Sequence, residues 1–210
     1  KIYMYKTDII GFFKRRKLIK QIQSFTDFVD LSANLNREIY LTTITAQTAE
    51  AIDRIVRMWN YVDDTEIVEF SKRHPIKIYM NSLGGDFNAM LTIMDVIKMS
   101  KTPVQTINIG VVQKEAFFIY AMGHQRYAYP RATFLYERDL KHLDDADEQT
   151  DKYVNFYLRQ LNEIKDLVIE KTKITENEYN KHLKGCWWMS AEDAHKLRVC
   201  TEILYTTVLR

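Results

Sequence analysis

Apolar residues alternate with polar ones at Ile76, Ile78 and Met80, the period of a half-buried strand. They recur at spacings of three and four at Ala49, Ile52, Val56 and Trp59, the period of a helix whose start Thr45 can cap. Before that helix, Ile39, Tyr40 and Leu41 read as a buried strand ending at Thr42 and Thr43. His74-Pro75 introduces the strand at Ile76, and Asn81-Ser82-Leu83-Gly84-Gly85 leads into a helix carrying Met90, Met94 and Ile97 on one face. Pro103 ends that unit. A strand from Val104 to Ile109, closed by Gly110, precedes a compact helix from Lys114 to Met122. Short strands are expected around Arg126 to Tyr129 and Ala132 to Tyr136, and a last one at Thr201 to Leu204. Strands alternating with helices through such short links predict parallel βαβ units with helices packed outside, an α/β fold.

The stretch 137–151 holds seven acids against Arg138 and Lys141 and contains no glycine. After it, Val154, Tyr157, Leu161, Ile164 and Val168 mark a helix of about 25 residues, longer than most in globular proteins. Such a helix crosses a large core or projects to pack on another subunit. Thr175-x-x-Glu178 and Ser190-x-x-Asp193 read as capping boxes, each opening a short helix.

Charge and composition then exclude several classes. Thirty Lys+Arg against 28 Asp+Glu leave a net charge of +2, which gives no electrostatic case for nucleic acid. With 46% hydrophobic and 28% charged residues the chain is globular rather than disordered, and 210 residues suffice for one core with appendages. No apolar run is long enough for a membrane span. Cys186 and Cys200 are too few for a disulfide framework and lack metal-ligand spacing. Residues 1–20 carry seven Lys or Arg and one acid, Asp8; this reads as a solvated terminal segment, with a binding arm as the sharper alternative. The first residue is Lys1 rather than Met, which implies a processed or trimmed form. Scarce Gly and Pro beside abundant Lys, Ile, Tyr and Asn suggest an AT-rich genome.

The candidate chemistry lies at two strand–helix junctions. Gly84-Gly85 makes a tight turn whose backbone N–H groups can face an oxyanion, and Gly110 to Glu115 supplies a second helix N-terminus aimed the same way. Here the residues carry a resemblance. Asn81-Ser82-Leu83-Gly84-Gly85 is similar to the Asn-Ser-Pro-Gly-Gly of the caseinolytic protease proteolytic subunit, ClpP. Ile109 to Gly123 resembles that family's nucleophile helix, in which Gly-Met-Ala-Ala-Ser-Met-Gly-Ala-Phe is usual. Arg131 to Tyr136 resembles the strand ending in its catalytic His, and Trp188 to Ala194 its Phe-Leu-Ser-Ala-Glu-Glu-Ala motif. The resemblance runs from about Arg37 to Leu204. It implies the ClpP/crotonase-type spiral of ββα units over residues 37–210, with a projecting handle at about 137–172 and an axial segment at 1–36.

Carried over by position, the resemblance implies a degenerate triad. Lys114 stands where the nucleophilic Ser is expected, Tyr136 in place of the His, and Cys186 in place of the Asp. A Ser–His–Asp mechanism needs a hydroxyl, an imidazole and an orienting carboxylate. Tyr, with a reference pKa of about 10, is a poor general base near neutrality. The resemblance therefore implies a ClpR-type, non-catalytic subunit without cofactor or metal. Such a subunit is expected to form a heptameric ring with active ClpP and to meet a Clp-type AAA+ ATPase, and its expected compartment is an apicomplexan plastid, the apicoplast. Gly84, Gly85 and Glu115 are the oxyanion-hole remnant, in which Lys114 and Glu115 are expected to fill the former site. Leu83 replaces the family's Pro. Tyr79 is the candidate ATPase-docking aromatic, with Lys77 at a neighbouring aromatic position. The net charge of −5 across 137–151 is expected to weaken stacking of identical rings or, equally, to be a solvated loop. The alternative is a crotonase-like acyl-CoA lyase or hydratase using Glu115. Residual proteolysis through Cys186 or Lys114 is a third reading. His74, His124, His142, His182 and His195 are expected on surface or loop positions.

Overall fold

A computed structural model describes residues 36–66, 69–137, 148–182 and 185–206. Residues Ile39–Arg210 form one compact unit. Strands β1 (Glu38–Leu41), β2 (Ile76–Ser82), β3 (Val104–Gln113), β4 (Gln125–Ala128) and β7 (Glu202–Ile203) follow one another across a sheet, while β5 (Thr133–Tyr136) joins β3 and β6 (Trp187–Ser190) joins β5. The β2–β3, β3–β4, β4–β7 and β3–β5 pairs are parallel, and β5–β6 is antiparallel. Among the described residues the α-helices are α1 (Ala46–Glu66), α2 (Phe87–Met99), α3 (Glu115–Met122), α4 (Glu148–Lys171), α5 (Glu176–Lys181) and α6 (Ala191–Lys196).

The sequence periods account for most of this. On β2, Ile76, Ile78, Met80 and Ser82 are buried while Lys77 and Tyr79 on the other face are half-buried. Thr45 caps α1 as expected: its hydroxyl accepts from the Thr48 N–H at 3.2 Å, and the Thr48 hydroxyl accepts from the Thr45 N–H at 2.9 Å. Ala49, Ile52 and Val56 on α1 face Met90, Ile93, Met94 and Ile97 on α2 across the core. Helix α3 carries Ala116 to Met122 without a polar interruption, and all seven are buried. A helix apolar on every side has to be enclosed, and α3 lies between the sheet, α2 and α4.

Three local expectations change. First, β3 does not stop at Ile109 but runs on to Gln113. It pairs with β4 over Gln105–Asn108 and then with β5 over Val111–Gln113. Two asparagines carry the backbone through the switch. The Asn108 side chain accepts from the Gly110 N–H and donates to the Thr133 carbonyl, and the Asn81 side chain accepts from the Val111 N–H. A Cβ at Gly110 would lie 2.7 Å from Asn81 Oδ1, so glycine is there to admit Asn81 and not to end the strand. Second, Tyr40 is exposed on β1, its ring stacked on Tyr79 at 5.1 Å. Third, only Thr175 forms the reciprocal capping box with Glu178. Ser190 caps α6 through the Asp193 N–H, but Asp193, one methylene shorter than Glu, turns its carboxylate to the Ser190 hydroxyl instead.

Helix α4 has 24 residues. Leu161, Ile164 and Val168 are buried, whereas Phe156 nearer its start is half exposed, with Arg159 over its ring. The basic segment 1–20, most of the acidic stretch (138–147) and His142 lie outside the described residues.

Candidate functional site

The site is built where β3 ends. Lys114, between β3 and α3, has φ 51° and ψ −121°, a backbone conformation that an L residue reaches only under strain. Its N–H donates to the Leu135 carbonyl at 3.1 Å, so the elbow is tied to β5. Since Gln113 pairs with Leu135, the next residues, Lys114 and Tyr136, are neighbours. Tyr136 pairs with Trp187 across the β5–β6 ladder, which places Cys186 just beyond that pair. The structure thus gathers the three positions singled out in the sequence, and gives them different surroundings. Lys114 is half-buried, Cys186 is exposed, and Tyr136 is 1% exposed.

Tyr136 is a core residue. Its ring meets Phe117 at 5.7 Å, Phe118 at 5.9 Å, Tyr179 at 4.9 Å and Trp187 at 6.4 Å, mostly edge to face, the arrangement that aromatic quadrupoles favour. His182 stacks flat on Trp187 at 4.1 Å. The sequence marks Tyr136 only as a poor general base and does not reveal this cluster. One signal was available: Phe117 stands where the related motif has Ala, one large ring answering another.

The glycine turn lies against the elbow. Gly84 has φ 109°, and a Cβ there would lie 2.5 Å from Glu115 Oε2 and 3.1 Å from Lys114 Cβ. A Cβ at Gly85 would lie 2.2 Å from the Ile44 carbonyl oxygen, with which the turn makes a parallel bridge. The Gly85 N–H donates to Glu115 Oε2 at 3.0 Å. An N–H beside the first turn of a helix is suited to hold negative charge, and here the negative charge is the chain's own carboxylate. Leu83, next to the turn, is 66% exposed.

The remaining candidates lie elsewhere. Tyr79 and Tyr40 form the stacked pair on the β1–β2 edge. His124 is half-buried rather than superficial, its Nδ1 accepting from the Val104 N–H at 3.1 Å and its ring 5.3 Å from Phe70. Cys200 is buried, and burial pushes its thiol up from the ordinary range. Among the described residues no group of three or more His, Cys, Asp or Glu could hold a metal ion, and no helix is long and apolar enough to cross a membrane.

Comparison with known proteins supplies the context. A family model described as Clp protease matches residues 26–206. The ATP-dependent Clp protease proteolytic subunit 2 of Treponema denticola is 27% identical over 135 residues, covering 63% of this chain and 68% of that one. The ATP-dependent Clp protease proteolytic subunit of Streptococcus suis is 23% identical over 172 residues, covering 75% and 88%. Among solved structures, a ClpP1 mutant from Listeria monocytogenes superposes with a TM-score of 0.70 over 85% of this chain and 97% of that one, at 20% identity. The fold is of the ClpP type. These findings do not favour the crotonase-like acyl-CoA reading.

Proposed function

The chain belongs to the Clp protease family, and from that premise we propose that it is a non-catalytic, ClpR-type subunit of a Clp protease complex. It takes a place in a heptameric ring with active ClpP. There it shapes the chamber and the ATPase contacts, and the Tyr40–Tyr79 edge is part of the surface offered to a Clp-type AAA+ ATPase. The observation that carries the reading is the fate of the Tyr136 position, a ring enclosed by four other aromatics beside an elbow that bears Lys114. The elbow bears Lys114 instead of a hydroxyl nucleophile, Tyr136 holds the position of the imidazole, and Cys186 offers a thiol where an orienting carboxylate is required. Removing such a catalytic unit costs on the order of a millionfold in turnover. The compartment that fits the AT-rich composition and the ClpR-type reading is the plastid of an apicomplexan, the apicoplast.

The test is native mass and peptide hydrolysis, with the chain alone and mixed with an active ClpP subunit. A ring of seven 25.0-kDa chains has a mass of about 175 kDa. Entry of this chain into rings with the active subunit, with no peptide hydrolysis by the chain alone, is the expected result. A monomer indifferent to ClpP refutes the assembly role. Hydrolysis lost in Lys114→Ala or Cys186→Ala refutes the non-catalytic one.

A further inference from the structure

We infer that the Glu115 carboxylate is an internal blocking group, an autoinhibitory contact that closes the anion seat formed by the Gly84–Gly85 turn and the start of α3. Three features of separate origin serve that one carboxylate. The strained elbow at Lys114, φ 51° and ψ −121°, sets Glu115 as the first residue of α3 and turns it toward the glycine turn. Gly84, at φ 109°, leaves vacant the volume that Oε2 needs, since any Cβ there would come within 2.5 Å of it. Gly85 is held against Ile44, where a Cβ would lie 2.2 Å from the carbonyl oxygen, and its N–H donates to Oε2 at 3.0 Å. Backbone strain of this kind costs about 1–3 kcal/mol and persists where the surroundings over-determine it. Here the conformation is kept although the residue bearing it is a lysine.

A charge-assisted hydrogen bond at the first turn of a helix is favourable for a carboxylate. The same features favour any anion, whether a free carboxylate or the oxyanion of an acyl-transfer intermediate, so the group that Glu115 excludes is of that class. The blocking role deepens the non-catalytic reading and rests on it for the identity of the excluded species, whereas the contact with Gly85 does not depend on it.

The test is residue-resolved amide hydrogen exchange at Gly85 in the full chain, in wild type, Glu115→Met and Gly84→Ala. Each measurement is made with and without sodium acetate at about 0.1 M, against chloride of equal ionic strength. In wild type the amide is expected to exchange slowly whether or not acetate is present. Both variants are expected to exchange about tenfold faster, Glu115→Met by losing the acceptor and Gly84→Ala by displacing it. In Glu115→Met, acetate is expected to restore part of the protection. Equal exchange in wild type and Glu115→Met overturns the contact. Faster exchange that acetate leaves unchanged in Glu115→Met overturns the anion seat. Peptide hydrolysis by wild type with Gly85 still protected refutes the non-catalytic reading and, with it, the blocking role, while leaving the contact in place.

Discussion

The guanidinium of Arg126 donates to the carbonyl of Lys171, the last residue of α4, at 2.8 Å. The same side chain donates to Gly123, the C-cap of α3, at 3.1 Å, and to Arg198 and Val199, just beyond α6, at 2.9 and 2.8 Å. Three helix C-termini, each bearing partial negative charge, therefore converge on one cation that is 4% exposed. Arg126→Met leaves four carbonyls without this donor and is expected to cost about 3 kcal/mol or more in urea unfolding. Arg126→Lys is expected to recover only part of that, because an ammonium cannot reproduce the planar fork. A loss below about 1 kcal/mol in Arg126→Met would show that water or neighbouring groups replace the guanidinium.

Gly123 is small for a steric reason. Its φ of −52° suits any residue, but a Cβ there would lie 2.3 Å from Thr106 Oγ1, and that hydroxyl is buried and bonded to the Tyr120 carbonyl at 2.9 Å. Gly123→Ala is expected to destabilise by about 1–3 kcal/mol, the cost of overpacking. In a Thr106→Ala background the same change is expected to cost less. Additive effects of the two substitutions in a double-mutant cycle would refute the clash.

His124 gives the fold a pH dependence near neutrality. Burial, and then the charge of Lys171, hold its imidazole below the ordinary 6.5. Its Nδ1 accepts the Val104 N–H only while that nitrogen carries no proton. As pH falls through 6.5 the unfolded chain takes up the proton first, so stability is full above that pH and declines below it until the folded imidazole also titrates. Unfolding midpoints measured between pH 7.5 and 5 are expected to fall more steeply in wild type than in His124→Gln. Parallel curves would exclude His124 as the source.

Periodicity made the scaffold legible in the sequence. The alternation at Ile76, Ile78 and Met80 and the three-and-four spacing of Ala49, Ile52 and Val56 report burial directly, and the structure buries those residues. Gly110 misled because a glycine inside a strand and a glycine ending one are identical in sequence; only the proximity of the Asn81 side chain separates them. The Arg126 convergence and the rings around Tyr136 were hidden for another reason. Their partners come from elements far apart in the chain, and no local pattern records that Phe117, Tyr179 and Trp187 meet. The candidate site was legible in its positions and not in its environment. The family resemblance singled out Lys114, Tyr136 and Cys186, and the strand register sets them near one another, while the enclosure of Tyr136 and the bond from Gly85 to Glu115 are tertiary facts.

That distinction bears on what happens when Ser, His and Asp are introduced at the three positions. In Lys114→Ser, Tyr136→His, Cys186→Asp the new imidazole replaces a ring packed 5.7 Å from Phe117 and 4.9 Å from Tyr179, in an apolar enclosure with little room to turn toward the elbow. Loss of aromatic packing and burial of a polar ring are expected to cost about 2–4 kcal/mol. The Gly85 N–H also remains engaged by Glu115, so negative charge forming at the elbow meets a carboxylate instead of a free donor. The triple variant is therefore expected to be less stable than wild type and silent toward both peptide substrates and a fluorophosphonate probe. Adding Glu115→Met and Phe117→Ala removes the carboxylate and opens space beside the imidazole, and labelling by the probe is expected only in that background. Ready labelling of the triple variant would show that the replaced residues alone silence the site, with neither the aromatic enclosure nor Glu115 contributing.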